Sequence, residues 1–278
     1  MRQAVRQLVS VARAVINGEP RLNLVKKESG RVTSAKDGGE IPQAAVREEN
    51  LQSYELRDWR THFSKQLRGK GLEIGPLHRP MVRHEEMDID YIDRCTVAEL
   101  RAHYPELKDL PLIEPTILGD AETLGNIADH AYDFVIAAHV IEHMRNPLQS
   151  LQQWCRVVKP GGKIYLVVPD KRATFDVKRV RTTLEHMILD FLRPSPERDY
   201  EHFLDYAVHV HNLSAEKAIE EADRLLKTDY SIHFHVFLPT DVLNLVRWFS
   251  TNVQSLDVLE GPSMTPGSDE FHLMVRVK

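Results

Sequence analysis

Cysteine is nearly absent from this chain. Its 278 residues hold two, Cys95 and Cys155, far apart and without paired spacing. That argues against a disulfide scaffold or a cysteine zinc centre, and makes a reducing, cytoplasmic compartment the default. Long apolar runs are absent too. None approaches the ~18 residues that span a bilayer, and the first residues lack the apolar core and small-residue cleavage site of a signal peptide. There is no excess of positive charge. A formal charge of -5 leaves no basic footprint for nucleic acid, and no stripe interleaves aromatic with basic side chains. No internal repeat is visible.

What is present is an alternation. With 42% hydrophobic residues there is material for one large domain with additions. Between Gly71 and Asp170 short apolar, β-rich runs each end in an acidic residue, a Gly or a His, with helical or loop material between them. Strands alternating with helices predict an α/β fold, a mostly parallel sheet with helices on both faces. In such sheets ligands sit beyond the carboxyl ends of the strands, where these polar residues fall. The expected strands are Leu72 to Ile74, Met87 to Ile92, Thr116 to Leu118, Phe134 to Ala138 and Ile164 to Val168. Thr96 and Glu99 spell a capping box for a short helix that Pro105 ends. Asn146-Pro147 opens another, and Pro160-Gly161-Gly162 stops it.

The flanks read differently. Residues 1–16 place Val5, Leu8, Val9, Ala12, Val15 and Ile16 at helical spacing, with Arg2, Arg6 and Arg13 elsewhere on the wheel. This helix docks on its own domain or a protein partner, or lies on a membrane surface. Residues 17–45 have the composition of a flexible linker. The main domain runs over 46–278, beginning with a helix that aligns Leu56, Trp59, Phe63 and Leu67. Residues 171–235 interrupt the alternation with helices broken near Pro194-Pro196 and at Asn212 to Ser214, where Ser214 looks like an N-cap. They are expected to form a helical lid over the strand ends. His233 to Phe237 reads as a short extended run, and Thr240 as the cap of a later helix. Val253 to Leu259 and Phe271 to Val277 suggest a terminal hairpin.

The run YDFVIAAHVIEHMRNPLQSLQQWCRVVKPGGKIYLVVP, residues 132–169, resembles the fourth through fifth strands of the class I S-adenosylmethionine-dependent methyltransferases nearly position for position. The likeness extends from about Val46 to Lys278. The Glu-Ile-Gly-x-Leu start at Glu73 is similar to sequences from bacterial cell-surface polysaccharide gene clusters. The resemblance implies a Rossmann-like sheet of seven strands, the last antiparallel, and S-adenosyl-L-methionine as cofactor. Carried over by position, Glu73 and Gly75 match the acid and first glycine of the loop facing the methionine part. Asp93 matches the residue that binds the ribose diol, Asp120 with Ala121 the adenine-contacting pair, and His139 a cofactor-lining position. One departure is plain: where the family has two more glycines, this chain reads Pro76-Leu77-His78.

The chemistry of the residues agrees. Asp93 lies 18 residues beyond Gly75, near the ~20 expected for an acid gripping ribose hydroxyls. Carboxylates suit a sugar diol and an adenine amine as acceptors. Methyl transfer is an in-line displacement, which positioning serves well, and a hydroxyl acceptor adds need of a base. The candidates are His143, just past the fourth strand, and His186 and His202 on the expected lid helices. His209 and His211, and His233 and His235, form His-x-His pairs, but no metal site is expected. The function expected is methyl transfer to a small polar acceptor, a hydroxyl of a sugar or related metabolite. The alternative is a non-catalytic module docking a partner enzyme through residues 1–45. Nucleic-acid methylation is the weaker third reading.

Overall fold

The computed structural model describes residues 58–278. The helix expected over 1–16, the linker and the start of the domain at 46 lie outside the described residues, as does the partner or membrane contact expected of residues 1–16.

The chain opens with helix α1 (Trp59–Ser64) and enters strands β1 (Gly69–Ile74) and β2 (Met87–Asp93). Helix α2 (Val97–His103), β3 (Ile117–Leu118), β4 (Tyr132–Ala138), helix α3 (Pro147–Val157) and β5 (Val158–Pro169) follow. The insertion supplies α4 (Leu184–Leu192), α5 (Pro196–His209) and α6 (Ala215–Lys227), and the core resumes with α7 (Pro239–Asn252), β6 (Leu256–Ser263) and β7 (Glu270–Val277). One seven-stranded sheet results, in the order β3-β2-β1-β4-β5-β7-β6. β7 runs antiparallel to both its neighbours, and the pairings among β1 to β5 are parallel. The mostly parallel sheet with its terminal hairpin is thus as expected.

Apolar patterning decides which strands lie deepest. β4 buries Phe134, Val135, Ile136 and Ala137, and β5 buries its run from Ile164 to Val168, as strands covered on both faces do. One face packs Leu72, Ile74, Val135, Ala137 and Ile164 against α3 and α7 through Trp154, Val246 and Phe249. The other packs Phe134, Ile136, Tyr165 and Val167 against Phe63 and Leu67, just ahead of β1, and against Met81. Gly71 allows this second face to close. A Cβ there would sit 1.9 Å from Cε2 of Phe134, so any larger residue drives the two strands apart.

Several boundaries differ from expectation. α3 ends at Val157, and β5 already begins at Val158 and runs through Pro160-Gly161-Gly162. Pairing with β4 skips from Tyr132↔Val158 to Phe134↔Lys163; the Pro-Gly-Gly segment is absorbed as an irregularity rather than a loop. His233 to Phe237 forms no strand; Phe237 makes one isolated bridge to Asp170. Thr240 is not a cap: α7 starts at Pro239, with Leu238 at the cap position, and the Asp241 carboxylate accepts the Leu238 N–H at 2.9 Å. Ser214 takes the N-cap position of α6 as read, but its side chain makes no capping hydrogen bond. The Thr96 capping box and the Asn146 cap form as read.

The insertion has two attachments. Met187 on α4 is buried in the main core. α5 and α6 instead share a satellite core of Phe203, Leu204, Ala222 and Leu225, closed by Ile232 and Phe234 of the returning chain.

Candidate active site

Strand order reverses between β1 and β4, and a crevice opens beyond the carboxyl ends there. A cavity of about 390 Å³ fills it, within the ~300–1,000 Å³ of small-molecule sites. Each strand delivers its own group. Gly75 and Leu77 follow β1, Asp93 closes β2, Asp120 and Ala121 follow β3, and His139 and His143 follow β4. Gly75 has φ +57°, and Leu77 takes φ 45° where glycines were expected. A leucine in this region costs about 1–3 kcal/mol, held in place because the Leu77 carbonyl accepts the Ile113 N–H at 2.8 Å.

The acids differ in their engagements. Asp93 Oδ1 accepts the Cys95 N–H at 3.2 Å, and burial pushes the carboxyl pKa up. Asp120 Oδ1 accepts the N–H groups of Glu122 and Thr123 at 2.7 and 2.9 Å, folding the chain after β3 into a tight turn. Glu73 is not among the cavity-lining residues. It is 1% exposed, and its Oε1 accepts the Met81 N–H at 2.8 Å. Burial, opposed by that hydrogen bond and by Arg60, lifts its pKa to about 7. Its side chain organises the loop after β1 from below the cavity.

His139 sits in the left-handed region at φ 56°. Its Nε2 lies 2.8 Å from Oε2 of Glu270, which Arg60 grips through two N–H bonds of 2.7 Å each. Burial works to lower the His139 pKa, but the hydrogen-bonded Glu270 and nearby Glu142 outweigh it and raise it. Glu270, despite its own burial, is held well below the carboxylate range by Arg60 and His139. The arginine fork and its acid lie 210 residues apart in the sequence.

The far wall comes from the insertion. Tyr230, Ser231 and Phe234 line it, with Arg145 packed against them. Arg145 reaches Asp229 at 2.9 Å and Asp199 at 3.3 Å and lies over the Phe234 ring. Arg94, at the end of β2, holds the same Asp229 at 3.0 Å. His143 Nδ1 lies 2.9 Å from the Ile232 carbonyl. A carbonyl can only accept, so Nδ1 carries the proton and Nε2 is the bare nitrogen. Burial first, and His233 second, push the His143 pKa down to about 3. Its ring meets His233 edge-on at 4.7 Å, and His233 Nδ1 is 2.6 Å from Asp176 Oδ2. Between them Glu142 is wholly buried with neither oxygen hydrogen-bonded, and burial raises its pKa.

Two expectations depart from this geometry. His186 and His202 were placed at the acceptor, but neither lines the cavity. Their Nε2 atoms face each other at 3.1 Å, one layer behind the Phe234 wall, because α4 and α5 turn those faces toward one another. Tyr230, Arg145, Asp229 and the Asp176–His233 pair were not singled out. Tyr230 and Asp229 lie in an irregular stretch with no motif, and Asp176 is 57 residues from His233.

Comparisons with known proteins bear on this site. Residues 69–166 match the family model described as a methyltransferase domain. A Mycolicibacterium smegmatis protein described as a probable S-adenosylmethionine-dependent methyltransferase is 32% identical over 105 residues. These findings show a likeness to methyltransferase domains over residues 69–166. The match covers 35% of this chain and 34% of that relative, so the chain matches about a third of the relative's length. Among solved structures, one from Rhodobacter sphaeroides, provisionally described as a Zn-dependent alcohol dehydrogenase, superposes with TM-score 0.50 at 13% identity, over 80% of this chain and 90% of that one. A methyltransferase from Aquifex aeolicus aligns with TM-score 0.39 at 14% identity, over 80% and 91%. The first is a likeness of fold alone. Among the described residues no helix is long and apolar enough to cross a membrane.

Proposed function

We propose that this chain transfers a methyl group from S-adenosylmethionine to a small polar acceptor, a hydroxyl of a sugar or related metabolite, in the cytoplasm. The observation that carries it is the two-sided cavity. Strand-end groups Gly75, Asp93, Asp120 and Ala121 line one side, and His143 with Tyr230 and Ser231 lines the other. The acceptor class is supported by the polar character of that second side and by the Glu-Ile-Gly-x-Leu start similar to polysaccharide-cluster sequences. Free Cys95 and Cys155 suit a reducing compartment.

The residues present fit the cofactor. Bound, it supplies an electrophilic methyl on a sulfonium. Asp93, half-buried and with one oxygen engaged by one backbone N–H, is placed to accept from a diol. The turn at Gly75 lets backbone approach an amino-acid end without a Cβ between. Asp120 and Ala121 take the adenine end. Opposite, His143 receives the acceptor's proton at Nε2, its ring fixed by the Nδ1–H bond to Ile232. Its low basicity suits a late proton transfer, once the hydroxyl oxygen has gained positive charge. His233, oriented by Asp176, stands beside it.

Calorimetric titration with S-adenosylmethionine and S-adenosylhomocysteine tests the cofactor half. Micromolar binding of both is expected; binding of neither would remove the reading. A screen of nucleotide sugars and glycans for methyl uptake then tests the acceptor, and methylation confined to amines or to nucleic acid would displace the hydroxyl assignment.

A further inference from the structure

Behind the insertion wall, four side chains outside the cavity converge. His186 and Asp190 are one turn apart on α4, so they share a face. His202 comes from α5 and His235 from the chain returning to α7. Nε2 of His186 lies 3.1 Å from Nε2 of His202 and 3.0 Å from Oδ2 of Asp190. One ligand-type atom from each of the four lies within 4.8 Å of those of the other three. In a tetrahedral site with bonds of about 2.0–2.1 Å, neighbouring donors stand about 3.3–3.4 Å apart, so part of this spacing already exists.

The outer contacts are those of metal ligands. His235 Nε2 is 3.2 Å from the Arg145 carbonyl, so that nitrogen donates its proton and Nδ1 is the bare one. Nδ1 is buried without a hydrogen-bond partner, in a residue that is 0% exposed. Asp190 Oδ1 accepts from Arg198 Nε at 2.6 Å, while Oδ2, beside His186, satisfies no hydrogen-bond geometry. Hydrogen bonds among the four therefore leave His235 Nδ1 unserved, whereas a cation would meet all four donors at once.

From this geometry we infer a structural zinc-class site made of His186, Asp190, His202 and His235. Three imidazoles and one carboxylate select borderline transition ions over magnesium or calcium. Four protein ligands close the coordination sphere, as in structural rather than catalytic sites. The ion would pin α4, α5 and the returning chain together, and through the Arg145 carbonyl fix the wall that carries Phe234. This departs from the expectation of no metal, and it does not depend on the methyl-transfer reading. The neighbouring trio Glu142, His143 and His233 is the rival position. There His233 already spends Nδ1 on Asp176 at 2.6 Å, and only three ligands meet.

The test uses the full chain, made without a polyhistidine tag and stripped by a chelator. Zinc chloride is titrated in against a colorimetric chelator, and cobalt(II) is added in parallel. The expected result is one zinc per chain at submicromolar affinity, an intense tetrahedral cobalt spectrum and a raised melting temperature. Asp190→Asn and His202→Gln should each weaken uptake at least tenfold, while His233→Gln retains it. No stoichiometric zinc and no thermal shift in the unsubstituted chain would overturn the site, whether or not the variants fold. A weak octahedral cobalt spectrum would do the same, as would loss of the ion in His233→Gln with retention in Asp190→Asn.

Discussion

On the sheet side of the cavity, Gly75, Asp93, Asp120 and His139 each arrive at or just past the end of a different strand, at places fixed by parallel pairing. On the insertion side, Tyr230, Ser231 and Phe234 lie in irregular chain, held by ion pairs to Arg145 and Arg94 and by the satellite core. The sheet wall is thus built by strand pairing, and the insertion wall by side-chain contacts together with single backbone bonds such as Tyr230 N–H to the Leu225 carbonyl at 3.0 Å. Strand pairing leaves little freedom, so cofactor groups can be rigid. The insertion wall is tied through Asp229, whose side chain is 69% exposed, so its ion pairs stand in water and are individually weak.

Four experiments would sharpen or break this contrast. The largest effect is expected at the boundary between the walls. His143→Gln should lower methyl transfer to any acceptor found by ~10²–10⁴-fold, with cofactor affinity nearly unchanged; equal loss of cofactor binding would move His143 to the sheet side. Next is Arg60→Met. It leaves the buried Glu270 carboxylate, whose side chain is 11% exposed, with His139 as its remaining close partner, and should cost about 3 kcal/mol of stability. Chemical denaturation showing under about 1 kcal/mol would mean the fork is not what holds α1 and the His139 loop to β7.

Asp93→Ala should weaken S-adenosylmethionine binding by ~10–100-fold, from loss of charge-assisted hydrogen bonds worth about 1.5–3 kcal/mol. The melting temperature should move little, since Asp93 holds only the loop amides just after it. Unchanged affinity removes it from the cofactor's grip. The smallest effect is the slope of stability with pH. In the chain stripped of metal, burial pushes His143 down to about 3 and His235 and His272 down to about 4. The unfolded chain binds protons there that the fold excludes, so these groups withdraw stability as pH falls from about 6.5. Glu73, raised to about 7, and Glu142, also raised, act in the opposite sense over part of that range. The three imidazoles outnumber the two carboxyls, so stability falls on balance as pH drops from 6.5 toward 4.5. Denaturation midpoints that hold steady from pH 6.5 to 4.5 would contradict it.

The pieces legible in advance were those with a local signal. β4 showed as an apolar run, α2 by its Thr96–Glu99 box and α3 by Asn146-Pro147. Asp93 and Asp120 stood out because each closes a β-rich run. Thr240 misled because it follows Pro239, while the cap is made by the Asp241 side chain on the Leu238 amide. The departure at Pro76-Leu77-His78 proved to be a leucine held in a glycine-like conformation, which residue identity alone conceals.

Spacing and patterning by themselves determined the alternation of parallel strands and helices, the burial of β4 and the strand-end groups Asp93 and Asp120. Backbone pairing is periodic and local apolar runs encode it. They could not determine which of fourteen histidines meet. His143 lines the cavity while His186 of α4 and His202 of α5 meet behind it, held by two separate cores, one around Met187 and one around Phe203 and Phe234. Contacts of that kind join residues with no fixed separation in the chain, so only the packed structure decides them.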